Sequence, residues 1–343
     1  MMARVRSVGH HRRARRVRAV SSDRIRQVQE LLVFQSLWGM ERRHADGFER
    51  SLEQNIQMII EAGFDGISAD WRDRDQVRRM HGLLAPQGLT AEGQCFPKTV
   101  DDLKPVLDVA AEFNLHHLTI QPDLRPRRLQ DCIPVLEGWR RLAEQVTFPV
   151  YIETHRNRMT TDLYFTLDLL DCFPDLKLVA DLSHFLVGRE FAIPVSDENH
   201  ALMHRILDNA WALHGRVASR EQVQVEISFP HHKPWLDLFL EWWGYGFRSW
   251  QRRAASNATL AFTCELGPRP YAIVGADGHE LSDRWQESLL LREQVRHLWA
   301  QIDENHDGED GQMGQCAARA DGESDAGSGG GGHRHAPTHR ERP

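Results

Sequence analysis

The groups able to do chemistry in this chain collect in its second half, at the ends of short apolar runs. Glu153 and His155 close FPVYIETH (148–155), and Asp181 and His184 close LKLVADLSH (176–184). His214 and Arg216 lie in WALHGRVAS (211–219), and Glu265 closes TLAFTCELG (259–267). A charge at the edge of a buried strand is costly unless it is paired, ligated or neutralised. One Glu in such a place is ordinarily a cap or half of a surface ion pair, and one His a packing residue. Four successive runs ending this way make a different case. Three carboxylates brought together repel and raise one another's pKa, and a divalent cation removes that conflict. Three carboxylates with one imidazole suit Mn²⁺ or Mg²⁺, with Co²⁺ and Zn²⁺ as alternatives, better than a thiolate-seeking metal. Cys264 adjoins Glu265, but strand alternation turns it to the opposite face. The same alternation lets His155 share a face with Glu153, and Arg216 with His214.

Such a constellation needs strands whose ends converge. Four earlier runs match the later four: LLVFQSLW (31–38), GFDGISAD (63–70), GLTAEGQCF (88–96) and HHLTIQPD (116–123). Their ends carry Trp38, Asp70, Glu92 with Gln94, and Gln121 with Asp123. Amphipathic segments separate the runs. In FERSLEQNIQMIIEAG, Phe48, Leu52, Ile56, Ile59 and Ile60 form one stripe, and Gly63 is a helix stop. Eight strands alternating with helices predict an α/β fold of the (β/α)8 TIM-barrel type, with the site at the C-terminal ends of the strands. A doubly wound open sheet is the competitor, but no Gly-rich phosphate turn follows the first strand. One stretch breaks the rhythm: QVQVEISFPHHKPWLDLFLEWWGYGFRSWQRR after the seventh run. Its segment 229–250 reads as a lid or homo-oligomer contact and, compatibly, as a packed helix with Trp235, Leu238, Phe239, Trp242 and Trp243 on its apolar face.

The chain has 343 residues, 41% of them hydrophobic, and a formal net charge of -7. That length and composition allow a single large domain, and the charge makes no general case for nucleic acid or membrane surfaces. Residues 1–22 read as a basic, disordered arm without the apolar core of a secretory signal. Residues 23–302 form the barrel, and 303–343 an acidic, then Gly-rich disordered tail. Five scattered cysteines without a CxxC pair point to a reducing, cytoplasmic setting. No apolar run approaches the ~20 residues needed to span a bilayer.

Glu153, the pattern Asp181-Leu-Ser-His184, His214 followed by Arg216, and Glu265 resemble the sugar phosphate isomerase/epimerase family of xylose-isomerase-like barrels. The likeness covers most of residues 31–300. It implies a divalent metal held by Glu153, Asp181, His214 and Glu265, with His184 and Arg216 on the substrate side; His155, which alternation turns to the same mouth, is a further substrate-side candidate. It also implies a carbohydrate substrate, free or phosphorylated. Proton removal beside a carbonyl needs a base and stabilisation of the resulting enediolate. Glu153 and Glu265 are the candidate catalytic pair: return of the proton to the same carbon gives epimerisation, and to its neighbour isomerisation. A metal-dependent lyase or dehydratase is the first rival, with His155 as the extra acid or base. A non-catalytic sugar- or nucleic-acid-binding protein is the second. The gap between His214 and Glu265 is longer than in compact epimerases. The ends of strands two and three lack the histidines of a trinuclear zinc endonuclease.

Overall fold

The structure, a computed structural model, describes residues 29–320, with side chains to residue 303. Parallel strands close into one barrel: β1 (Glu30–Ser36), β2 (Gly66–Asp70), β3 (Thr90–Cys95), β4 (His117–Ile120), β5 (Val150–Glu153), β6 (Leu178–Asp181), β7 (Ala210–Gly215) and β8 (Thr259–Cys264). Closure is made at Phe34 of β1, which stands beside Gly66 of β2 and Thr263 of β8. All eight expected runs form strands, each shorter than its run. His155, His184 and Arg216 therefore emerge just beyond strand ends.

The outer layer holds α1 (Leu52–Glu61), α2 (Arg74–Leu84), α3 (Val100–Glu112), α4 (Ile133–Ala143), α5 (Leu163–Cys172), α6 (Ser183–Gly188), α7 (Asp197–Asp208), α8 (Lys233–Arg253) and α9 (Arg284–Ala320). Local chemistry starts them. Ser51 and Gln54 form a reciprocal capping box on α1, as do Thr99 and Asp102 on α3. Asp73, Asp162 and Ser196 cap α2, α5 and α7.

Alternation sorts each strand between two interiors. Outward residues such as Ile67, Leu118, Leu213 and Phe262 meet the helices in the main core. Inward, the lower lumen is plugged by Phe34, Tyr151, Val179, Ala212 and Ala261. Above that plug the lumen turns polar, with Glu92, Thr119 and Thr263 all buried. At the N-terminal end, His116 Nε2 lies 2.8 Å from Thr259 Oγ1, and its Nδ1 lies 2.7 Å from Nδ1 of His117.

The Trp-rich stretch is mostly α8, the layer that covers β7 and β8. Phe239, Trp242, Trp243, Phe247 and Trp250 are all buried. Trp243 meets Phe262 of β8 edge to face at 5.0 Å, and Phe247 meets Trp299 of α9 at 5.4 Å. Apolar side chains spaced at helical intervals bear out the packed-helix reading, with which a lid or homo-oligomer contact is compatible. The backbone of α9 runs to Ala320, past the boundary expected at residue 302. The arm at 1–22 and the tail from 321 lie outside the described residues. No helix among the described residues is long and apolar enough to cross a membrane. Cys95, Cys132, Cys172 and Cys264 are free thiols.

Candidate metal centre

Glu153 is the last residue of β5 and is 0% exposed. The apolar residues before it, Tyr151 and Ile152, anchor the strand in the two cores, so the carboxylate has no route to solvent. Oε2 accepts a hydrogen bond from Gln121 Nε2 at 3.0 Å, and Oε1 is buried without a partner. Asp181 ends β6. Its Oδ1 accepts from the Ser183 amide at 3.0 Å and the Ser183 hydroxyl at 2.5 Å. Its Oδ2 accepts from Arg216 Nη1 at 2.8 Å. Glu265 lies just past β8, where Oε2 accepts from Arg216 Nη2 at 2.8 Å and Oε1 from Gln94 at 3.3 Å.

His214 stands between these carboxylates. Its Nε2 donates to Glu92 Oε1 at 2.7 Å, and the Thr119 and Thr263 hydroxyls donate to the same carboxylate at 2.6 Å each. Glu92 therefore holds the tautomer with the proton on Nε2. Nδ1 then faces the cluster, 3.1 Å from Glu265 Oε2 and 3.5 Å from Glu153 Oε1, with no aligned hydrogen bond. A carboxylate behind an imidazole that points its other nitrogen at a ligand set is the arrangement found around metal-binding histidines. Gly215 allows the strand to seat there: a Cβ at this position would lie 2.2 Å from Phe262 Cε1.

One donor atom from each of Glu153, Asp181, His214 and Glu265 lies within 4.8 Å of every other. Electrostatics shows what this costs without a cation. Burial pushes the Glu153 and Asp181 carboxyls above their ordinary range. Burial also opposes charge on Glu265, but His214 and Arg216 hold it down at about 2. For His214, burial favours the neutral ring, yet Glu265, Glu92 and Glu153 drive its pKa well above normal. The cluster thus demands positive charge. The unpartnered Glu153 Oε1 and His214 Nδ1 are the donor types a divalent ion of the Mn²⁺ or Mg²⁺ kind takes, so the residues fit the expected metal.

The residues expected on the substrate side separate. His155 lines a cavity of about 400 Å³ at the barrel mouth, together with Arg216, Glu265, Gln94, Gln121 and Trp38. Its Nδ1 donates to the Arg156 carbonyl at 2.6 Å, which leaves Nε2 as an acceptor. Burial lowers its pKa to about 4. His184 sits behind it, ring centroids 4.0 Å apart, and is buried off the cavity wall. Its Nε2 lies 3.2 Å from Arg216 Nη1 and 3.3 Å from Asp181 Oδ2. A second triplet of donor atoms, from Glu153, His155 and His184, lies within the same 4.8 Å. Arg216 reaches the cavity and bonds Asp181, the Glu265 side chain and, through Nε at 3.0 Å, the Glu265 carbonyl. It is the counter-ion of two carboxylates of the cluster. Cys264 points outward, its thiol 3.8 Å from the Ser288 carbonyl, as alternation requires.

Glu92, Gln94, Gln121, Thr119 and Thr263 complete the site and were not among the expected functional residues. Their signal was weak but present: all five occupy inward positions under strand alternation. What the order of residues does not give is the cross-barrel distance that joins Glu92 of β3 to His214 of β7.

No family model matches the sequence, and no curated protein is significantly similar to it. Solved structures do match in fold. A xylose isomerase-like TIM barrel protein from Mycobacterium smegmatis, solved in complex with magnesium, aligns over 78% of this chain and 97% of its own, at 11% identity and a TM-score of 0.52. A sugar phosphate isomerase/epimerase from Parabacteroides distasonis aligns over 83% and 98%, at 10% identity and a TM-score of 0.52. The probable 3-DHS dehydratase AsbF from Bacillus anthracis aligns over 78% and 98%, at 15% identity and a TM-score of 0.48. At these identities the likeness is one of fold: the chain is built like the xylose isomerase-like TIM barrels.

Proposed function

We propose that this protein is a divalent-metal-dependent enzyme that moves a proton on a carbon next to a carbonyl in a small polyhydroxylated substrate, as a sugar isomerase or epimerase. One observation carries the reading. Glu153, Asp181, His214 and Glu265 present mutually close donor atoms, two of them buried and unpartnered, and Glu265 joins the cluster to the cavity at the barrel mouth. Glu153, Asp181, His214 and Glu265 would hold the ion. When bound, it supplies fixed positive charge that stabilises negative charge developing on substrate oxygens.

The chain's own groups divide the remaining work. Glu265 reaches the cavity and is the carboxylate best placed to take or return a proton there, while Glu153 is the partner carboxylate across the cluster. Gln94 and Gln121 orient these two by donating to Glu265 Oε1 and Glu153 Oε2. Arg216 bridges Asp181 and Glu265, and Trp38 and Tyr271 line the cavity with their rings. Screening the Mn²⁺-loaded protein against ketoses, aldoses and inososes tests this. The expected product has the mass of its substrate.

One observation favours elimination as a second reading. His155 faces the cavity with a free Nε2 next to the cluster, a position from which a neutral imidazole takes up a proton or helps a β-oxygen depart. A product absorbing in the ultraviolet as an enone, with loss of water, identifies that lyase.

A further inference from the structure

Arg72 and Arg158 are the cavity-wall cations that the metal cluster does not contact. Arg72 is matched by Asp70, with Nε 2.9 Å from Oδ1 and 3.1 Å from Oδ2, which leaves Arg158, on the loop after β5. Its guanidinium is fixed from one side only. Nε donates to Gln121 Oε1 at 2.9 Å, Nη1 donates to the Asn157 carbonyl at 3.0 Å, and Nη1 lies 3.3 Å from Asp123 Oδ1. Nη2 has no partner among the described residues.

Asp123 does not match this charge. It also faces Arg125, with Nη2 2.8 Å from Oδ1, and Lys98, with Nζ 3.6 Å from Oδ2. One carboxylate therefore serves three cations. Lys98 and Arg125 spread their charge into water, with side chains 67% and 46% exposed. The Arg158 side chain is 19% exposed and borders the cavity, so its charge is the one a bound molecule meets. A hydroxyl leaves that excess unmatched, whereas an oxyanion accepts charge-assisted bonds from a guanidinium edge.

Gln121 ties this position to the metal cluster. Arg158 takes the carbonyl end of its amide, which turns the NH₂ end toward Glu153 Oε2 at 3.0 Å. We propose that Arg158 recognises one oxyanion of the substrate, a carboxylate or a phosphate ester, and that Gln121 couples that contact to the placement of Glu153. The proposal rests on the proton-transfer reading of the same site and narrows its substrate to an acidic one.

Calorimetric titration of the full chain with inorganic phosphate, and separately with glycolate, tests it. Each titration is run on Mn²⁺-loaded and on chelated protein, so that binding to the ion is separated from binding to the guanidinium. At least one probe should bind in both states, and which one binds tells phosphate ester from carboxylate. Arg158→Ala should weaken that probe roughly 10- to 100-fold, the worth of a hydrogen bond to a charged group, and leave Mn²⁺ affinity within a few-fold. Should Arg158→Ala fail to fold by circular dichroism, Arg158→Gln, which keeps a polar group beside Gln121, decides on the same terms. Absence of binding by both probes, or equal binding by parent and variant, overturns the proposal. Failure of the parent to bind Mn²⁺ instead overturns the metal reading and is seen in the same experiment.

Discussion

The two halves of the barrel mouth are built from the same repeating unit and carry opposite chemistry. From β5 to β8 the strand ends present Glu153, Asp181, His214 and Glu265, all buried and all aimed at one point. From β1 to β4 they present Ser36, Ser68, Gln94 and Gln121, neutral groups on the cavity wall, and one carboxylate, Asp70, that is paired with Arg72. The neutral half is not idle. Gln94 holds Glu265, Gln121 holds Glu153, and Glu92, one layer lower, holds His214. One half carries the candidate ligands and the other hydrogen-bonds them, and each of these groups stands on a strand or one residue past its end.

Substitutions in the ligand half should have the largest effects. Glu265→Gln and Glu153→Gln should cost turnover by more than the roughly 100-fold that bounds outer-shell changes, and steady-state rates on the identified substrate measure this. Near-normal rates in both variants would erase the distinction between the halves.

Glu92→Gln comes next. It removes the negative charge that fixes the His214 proton on Nε2, and a loss of about 10- to 100-fold in Mn²⁺ affinity is expected by calorimetry. Gln94→Ala and Gln121→Ala each remove one neutral donor and should cost less than Glu92→Gln in the same assay. If either matches a ligand substitution, the neutral half contains a ligand.

The smallest effect lies at the far end of the barrel. Burial lowers the pKa of His116 from 6.5 to about 3. Between those values the unfolded chain binds a proton that the folded chain refuses, so stability falls as pH drops below 6.5. The half-buried ring keeps this contribution to about 1–2 kcal/mol, less than the full shift allows. His116→Asn should flatten the decline in melting temperature between pH 6.5 and 4. An unchanged slope would assign the acid sensitivity to the ligand half.

The barrel was legible because its signals are local. Apolar runs of strand length recur at regular spacing, and alternation alone sends Cys264 outward and Glu265 inward. That Glu153, Asp181, His214 and Glu265 come together was legible for the same reason, since they occupy equivalent strand ends. The surroundings of Arg216 and His184 were not legible in the sequence. Their residue types suit sugar oxygens, and only packing reveals that Arg216 is caged by Asp181 and Glu265 and that His155 stands in front of His184. Glu92 shows the same limit from the other side. Its partner His214 is separated from it by 122 residues and by the width of the lumen. The Trp-rich stretch was ambiguous because a buried helix face and a sticky loop share a composition until a neighbour such as Phe262 is known.

The most direct test is a titration of Mn²⁺ into chelated full-length protein, with the metal content of the untreated protein measured alongside. The expected result is one ion per chain, with binding lost in Asp181→Asn and in Glu265→Gln while both variants remain folded. A parent protein that binds no stoichiometric divalent ion, or variants that bind it as well as the parent, would contradict the assignment of these four residues as a metal centre.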